Sequence, residues 1–196
     1  MNHSFTLSLL LALGLTACVS QSPQPRYYLL EPLTAAATPA VAGDGGSPNR
    51  IITLTAVHVP HYADRPQLVM ADKNHQYQLD EFNRWAERLD DNIGRVLQQN
   101  LASLLPDTVI LRNDSRPNLA DTVRLSVDIL DIVSDATGSA RLVTQWTLAR
   151  HHQILATRQS SHQVGSDGLT AAARVAALNT LLTELSRDIA ADLSHY

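Results

Sequence analysis

Histidine side chains are the first candidates for chemistry in this sequence, because their spacing could allow two of them to share a metal ion. His58 and His61 lie three positions apart and flank Pro60 at the end of a predicted strand. The HExxH pattern, which places two zinc-binding histidines on one face of a helix, does not surround them. We therefore interpret both as ordinary surface or loop histidines, and the sequence predicts no metal site.

Three aspartates and a Ser–His pair are the other candidate residues for metal binding or catalysis. Asp128, Asp131 and Asp135 suggest calcium, but a calcium loop needs denser oxygen ligands and a turn-forming glycine. Ser161 and His162 suggest a hydrolase, but no nucleophile-elbow pattern surrounds the serine, and adjacent residues of a strand point to opposite faces. A periplasmic hydrolase remains an alternative that requires a pocket with a Ser or Asp beside a His. The sequence favours a protein that is not an enzyme.

The single cysteine offers a different chemistry. Phe5 to Ala17 is an uncharged apolar stretch of 13 residues, too short to span a membrane but typical of the central region of a secretory signal. It ends in Leu15-Thr16-Ala17-Cys18, which resembles the lipobox of bacterial lipoproteins. The first four residues carry no Lys or Arg, which departs from the usual signal peptide. We predict a signal peptide over residues 1–17, cleavage between Ala17 and Cys18, and a lipid on the Cys18 thiol.

The composition and the residues after Cys18 limit where the protein can be located and which classes of partner it can bind. No disulfide can form within a chain that has one cysteine, and the predicted lipid is the only bound group that we expect. The net charge of −4 and the absence of a basic stripe argue against nucleic acid as a partner. Val19-Ser20 follows the cysteine without an Asp, which in Gram-negative lipoproteins favours the outer membrane. Residues 18–26 are a polar, Pro-containing tether, so we expect a lipid-anchored protein on the periplasmic face of that membrane.

Hydrophobic periodicity predicts one α/β domain over residues 27–196. The apolar spacing indicates long helices over residues 80–105, with Asp80 as N-cap, and over residues 169–193. A mobile loop is expected over residues 31–50, and a bulge near Ala56 would reconcile the two phases of its strand. The predicted strands are 27–30, 51–59, 67–71, 76–79, 108–111, 122–133, 141–150 and 154–164. We expect a mixed, mostly antiparallel sheet with both helices packed on it.

Three segments carry a family resemblance. They are Tyr27-Tyr28-Leu29-Leu30, the stretch Val57 to Pro66 (VHVPHYADRP), and Phe82 to Leu89 (FNRWAERL). In this order and spacing they resemble the ABC-type transport auxiliary lipoproteins, the PqiC-like family. Arg88 stands where we expect a small residue or Pro. The resemblance covers nearly all of the chain after the predicted tether.

The resemblance implies a non-enzymatic component of an envelope-spanning lipid transport system. Its expected partners are a periplasmic tube of MCE (mammalian cell entry) domains and an inner-membrane permease, with this protein docking the tube at the outer membrane. The resemblance also suggests a ring of several copies. An alternative is an assembly factor for a secretion or polysaccharide export channel, which the neighbouring genes would distinguish.

The motif residues have two interpretations, which the sequence leaves open. They form either a partner interface, where aromatic and Arg residues are favoured, or a structural cluster in which Arg65 and Glu87 could pair. The residues concerned are Tyr27, Tyr28, Tyr62, Asp64, Arg65, Pro66, Phe82, Trp85 and Glu87.

Overall fold

The computed structural model of the chain describes residues 23–33, 50–72, 76–112 and 122–196. The predicted signal peptide, Cys18 and most of the predicted 31–50 loop lie outside these described residues. The described residues form eight strands and two helices, which agrees with the predicted α/β class. They are β1 Arg26–Tyr28, β2 Arg50–His58, β3 Gln67–Ala71, β4 Tyr77–Trp85, α1 Leu89–Leu104, β5 Thr108–Arg112, β6 Val123–Asp135, β7 Ser139–Arg150, β8 Gln153–Gly165 and α2 Ala171–Leu193.

The bounds of most predicted helices and strands are confirmed to within two residues. The strands were predictable because apolar and polar side chains alternate along them. The predicted bulge is also confirmed, since the register of β2 against β6 shifts between Leu54 and Ala56. Helix α2 begins after Thr170, whose hydroxyl accepts a hydrogen bond from the Ala173 N–H at 3.1 Å.

The predicted start of the first helix is wrong. Residues 77–85 form strand β4, and α1 begins only at Leu89. Phe82, Trp85 and Leu89 have helical spacing, but this spacing spans the end of a strand, a bend and a helix start. Asp80 is not an N-cap, although its carboxylate does accept a backbone hydrogen bond, from the Phe82 N–H at 3.1 Å within the strand.

The sheet branches at β6. One edge of β6 pairs with β7 along its length, and β7 pairs with the edge strand β8. The other edge is shared, because β2 pairs with residues 123–128 and β3 pairs with residues 134–135. The sheet continues from β2 to β5 and from β3 through β4 to β1.

The prediction of mostly antiparallel pairing is wrong, because four of the seven strand pairs among the described residues are parallel. The connections explain the difference. Strands that follow each other directly, β3–β4, β6–β7 and β7–β8, are antiparallel. Strands joined by long connections, such as β2 and β5 with α1 between them, return in the same direction and pair in parallel.

Both helices cover one face of the sheet. Along β6, Val123, Leu125 and Val127 are buried toward the helices, while Arg124 and Ser126 alternate with them on the other side. We call that second side the open face. Five residues of the predicted apolar stripe are buried on helix α1, namely Leu89, Ile93, Val96, Leu97 and Leu101. Among the described residues, neither helix combines the length and apolarity needed to cross a membrane.

Candidate functional site

An interruption along β6 organises the candidate site. Strands β2 and β3 follow each other along the same edge of β6, but residues 129–133 of that edge pair with neither. The connection Val59–Pro66, which contains the second family motif, lies between the two strands. The backbone groups of this unpaired stretch therefore need partners other than a strand.

The Tyr62 side chain supplies such a partner. Its hydroxyl accepts a hydrogen bond from the Ile132 N–H at 3.0 Å and donates to Asp131 Oδ1 at 2.6 Å. Its ring stacks on Tyr77 with centroids 4.8 Å apart. One aromatic residue of the connection thus binds β6 and contacts β4.

Electrostatics keep this hydroxyl protonated. Burial, and then the hydrogen bond to Asp131, raise the pKa of Tyr62 well above its ordinary value. Arg141 forms an ion pair with Asp131, with 2.6 Å between Nη2 and Oδ2. Tyr62 is a structural hydrogen-bond donor and acceptor here, and Asp131 is engaged within the fold.

The rest of the connection folds into a tight turn. The N–H groups of Ala63 and Asp64 both donate to the Pro60 carbonyl, at 2.9 and 3.1 Å. Ala63 is buried, whereas Asp64, Arg65 and Pro66 are exposed. The turn therefore presents an acidic and a basic side chain to solvent on a backbone that is fixed by hydrogen bonds.

Arg88 connects this turn to the first helix. Its Nη2 lies 3.5 Å from Asp64 Oδ2 and 2.8 Å from Asp90 Oδ2. The hydrogen bond from Arg88 lowers the pKa of Asp90. The suggested Arg65–Glu87 pair does not form, because Glu87 instead pairs with Arg95 at 2.7 Å. The residue that departs from the family pattern, Arg88, thus holds the turn and the helix start together.

A bulge in β4 positions the third motif. Gln67 of β3 pairs with Arg84 and Leu68 with Asp80, so three residues of β4 loop out between these pairs. Asp80 Oδ1 accepts hydrogen bonds from the N–H groups of Phe82 and Asn83, at 3.1 and 3.0 Å. The carboxylate that resembled a helix cap therefore caps a strand bulge.

Strand β1 carries the first motif to the same place. It runs parallel to β4, with Tyr27 opposite Arg84 and Tyr28 opposite Trp85. The Tyr28 hydroxyl donates to Asn83 Oδ1 at 3.0 Å. Tyr28 is half-buried, while Tyr27 remains exposed.

Backbone hydrogen bonds join the three motifs into one unit. The Trp85 N–H donates to the Pro66 carbonyl at 2.7 Å, and the Ala86 N–H donates to the Tyr28 carbonyl at 2.9 Å. We call this unit, residues 26–30, 59–66 and 82–88, the motif corner. Its residues differ in burial. Trp85 is core, Tyr28 and Tyr62 are partly buried, and the exposed residues are Tyr27, Asp64, Arg65, Pro66, Phe82 and Glu87.

Comparison with known proteins shows which protein family contains the motif corner. A family model described as ABC-type transport auxiliary lipoprotein component matches residues 28–190. The chain belongs to this family. The match includes nearly all of the motif corner, so the resemblance seen in the sequence is confirmed.

Curated relatives of this auxiliary lipoprotein have a shared name. The chain is 27% identical over 144 residues to the intermembrane transport lipoprotein PqiC of Escherichia coli (strain K12), covering 74% of this chain and 73% of the relative. The PqiC protein of Shigella flexneri matches with the same identity and coverage.

Solved structures support the fold of the auxiliary lipoprotein. A crystal structure of an uncharacterized protein superposes with a TM-score of 0.73 at 23% identity, covering 87% of this chain and 99% of the other. Protein XCC0632 from Xanthomonas campestris superposes with a TM-score of 0.60 at 15% identity, covering 71% and 80%. At these identities the likeness concerns the fold.

The residues first considered for chemistry lie on β2, in the turn that follows it and on β8 of this auxiliary lipoprotein. His58 and His61 are exposed at the end of β2 and in the following turn. Ser161 is exposed, whereas the neighbouring His162 faces α2, with its Nε2 2.8 Å from Asp188 Oδ2. Within the described ranges, no group of three or more His, Cys, Asp or Glu side chains is placed to hold a metal ion.

Two buried asparagines were missed by the sequence analysis. Asn92 in α1 accepts from the Leu30 N–H at 2.7 Å and donates to the Leu30 carbonyl at 3.1 Å. Asn100, two turns later, accepts from the Leu33 N–H at 2.7 Å and donates to Ser186 Oγ. Both side chains are at most 1% exposed. Their place on the apolar side of α1 was the available signal, because buried amides need hydrogen-bond partners.

Proposed function

We propose that this protein is the non-enzymatic lipoprotein of an envelope-spanning, MCE-type lipid transport system. Lipid on Cys18 holds it at the periplasmic face of the outer membrane, where it docks the periplasmic tube. Family membership over residues 28–190 is the observation that carries the proposal. The PqiC relatives, named as intermembrane transport lipoproteins, support the transport role.

The exposed turn of the motif corner, residues 64–66, is the docking surface in this proposal. Asp64, Arg65 and Pro66 lie on a hydrogen-bonded turn, so an interface there needs little ordering on binding. The Arg65 side chain is exposed and forms no ion pair with another described residue. An exposed, unpaired guanidinium on a fixed backbone suits a carboxylate or carbonyl of a partner. Glu87, another exposed residue of the motif corner, is already paired with Arg95.

Affinity purification from solubilised envelopes tests this function. The full-length lipoprotein should capture the MCE-domain protein and the permease of the same system, identified by mass spectrometry. Arg65→Glu should lower the recovery of the MCE-domain protein several-fold, because it reverses the charge at the docking turn.

Arg124→Glu is the matched control, since Arg124 is also an exposed arginine but lies on β6 outside the motif corner. It should leave recovery unchanged. Capture of outer-membrane channel components in place of MCE-domain protein would favour the alternative, an assembly factor for a secretion or polysaccharide export channel. Equal recovery with both variants would contradict docking through the Arg65 turn.

A further inference from the structure

Exposed apolar side chains concentrate at one end of the molecule. Nine large hydrophobic side chains are exposed among the described residues, and five of them lie on or beside β1 and β4. We call these five the β1–β4 apolar surface. They are Tyr27 (62% exposed), Leu29 (42%), Tyr77 (49%), Leu79 (43%) and Phe82 (48%). Such clustering marks a surface that contacts an apolar phase or a partner.

Strand register places two of these side chains together on the open face. Tyr77 is paired with Ala71 and Leu79 with Val69, two positions apart on the same strand. Tyr62 stacks on Tyr77, which fixes the orientation of that ring. This part of the surface is therefore aromatic and rigid.

The first strand extends the surface toward the N-terminus. Tyr27 and Leu29 are exposed, whereas Tyr28 is half-buried and Leu30 is fully buried. This alternation turns one side of the segment inward and the other toward solvent. Arg26, which begins β1, is exposed beside them.

Chain length determines how far this surface can lie from the predicted anchor. Cys18 precedes Arg26 by eight residues. A fully extended chain spans at most about 3.5 Å per residue, so Arg26 lies within roughly 28 Å of the lipid-modified cysteine. Strand β1 is the first element after the tether, and its apolar side chains are thus held near the bilayer.

We propose that the β1–β4 apolar surface lies in the headgroup region of the bilayer to which Cys18 is anchored. The proposal rests on the lipid attachment in the proposed function. Tyrosine, with an apolar ring and a polar hydroxyl, is favoured at the boundary between headgroups and acyl chains. The contact adds a protein surface to the lipid anchor and fixes the orientation of the domain. The exposed sides of α1 and α2 then face away from the membrane.

Spin labelling of the intact lipoprotein in vesicles tests this contact. Cys18 is the only cysteine, and its thiol is blocked once it is acylated, so an introduced cysteine is labelled alone. Phe82→Cys and Tyr77→Cys place nitroxides on the surface. Ala102→Cys, at an exposed position of α1, is the matched control. The vesicles contain phosphatidylethanolamine and phosphatidylglycerol, and power saturation compares collisions with oxygen and with a water-soluble nickel chelate.

The labels at positions 77 and 82 should show a several-fold higher ratio of oxygen to nickel collisions than the label at position 102. Equal ratios at all three positions in protein that floats with the vesicles would overturn the membrane contact and leave the lipoprotein assignment intact. Protein that does not float with the vesicles would overturn both. A label at position 82 that is shielded only after an MCE-domain protein is added would identify a protein interface and overturn the lipid contact.

Circular dichroism and thermal unfolding of each labelled protein provide a folding check. All three sites are exposed or half-exposed, so each variant should unfold within a few degrees of the parent.

Discussion

The phenolic oxygen of Tyr62 lies 3.0 Å from the backbone nitrogen of Ile132 and accepts its hydrogen bond. This contact falls where the edge of β6 has neither β2 nor β3 as a neighbour. A side chain from the connection thus replaces a missing strand. The tyrosine of the second family motif therefore has a structural reason to be present.

Tyr62→Phe should lower the free energy of unfolding by about 1–3 kcal/mol, because the Ile132 N–H and the Asp131 carboxylate each lose a hydrogen-bond partner. Urea denaturation followed by circular dichroism measures the change. Tyr77→Phe is the control, since it keeps the stacked ring and removes a hydroxyl that has no hydrogen bond within the described residues. Equal effects of the two variants would contradict the role of the Tyr62 hydroxyl.

Asn92→Leu should destabilise the fold by roughly 2–4 kcal/mol, because the N–H and the carbonyl of Leu30 both lose their partner in a buried environment. Hydrogen exchange at the Leu30 amide should accelerate along with the loss of stability. Gln99→Leu, at an exposed position of the same helix, should change stability by less than about 0.5 kcal/mol. Unchanged exchange at Leu30 in Asn92→Leu would show that the amide does not hold this segment.

Asp135 contributes pH-dependent stability at the turn between β6 and β7. The side-chain hydrogen bond from Thr137, and then backbone N–H donors, lower the pKa of Asp135. A lowered folded pKa means that the contribution is present above the unfolded value, about 3.9, and is lost as the pH falls through the folded value.

Asp135→Asn should therefore be less stable than the parent by about 1 kcal/mol at neutral pH, and the difference should shrink as the pH falls below about 4 and through the lowered pKa of Asp135. Urea titrations at several pH values measure it. Asp107→Asn, at an exposed position, is the control. A difference that stays constant with pH would contradict a role for the charge.

Cys18→Ala should leave an uncleaved or misplaced precursor, because the thiol that accepts the lipid is gone. Intact-mass analysis of the membrane fraction provides the measurement. The parent should carry acyl mass on a chain that begins at Cys18. A mature parent chain without acyl mass would end the lipoprotein interpretation of the N-terminus.

Self-assembly should proceed through the sheet edge formed by β8. This strand has 13 residues and pairs on one side only within the described part of the chain. Light scattering on the lipid-free domain at high concentration, followed by imaging with the MCE partner, should reveal a ring. The substitutions Thr157→Lys and Gln163→Lys should weaken the self-assembly, because charges on an edge strand oppose edge-to-edge pairing. A strict monomer in both measurements would exclude the ring.

Local pattern predicted most of the elements but not how they are joined. The strands alternate over several residues, so period and burial agree along β6 and β7. Phe82 and Trp85 misled the helix prediction, because a bulge capped by Asp80 depends on strand pairing that periodicity does not reveal. The pairing of both β2 and β3 with one edge of β6 also depends on contacts between distant parts of the chain, which local patterns do not reveal.

The candidate site was predictable as a set of residues but not as an arrangement. The family motifs identified the segments, and the structure brings them together through the Trp85–Pro66 and Ala86–Tyr28 hydrogen bonds. These join residues 19 and 58 positions apart. Trp85 is buried and Phe82 is exposed. Their positions on strand β4, and not on a helix, determine this difference.

From the shared edge of β6 we also expect an order in which the strands fold. The β2–β6 ladder begins with the pairing of Ile52 and Val123, which are 71 residues apart in the chain. Strands β6, β7 and β8, by contrast, follow one another directly and pair as neighbours. Closing long loops slows folding, so the C-terminal meander should be structured in the transition state, and β2 and β3 should join late. Substitutions in β7 should then chiefly slow folding, and substitutions in β2 should chiefly speed unfolding.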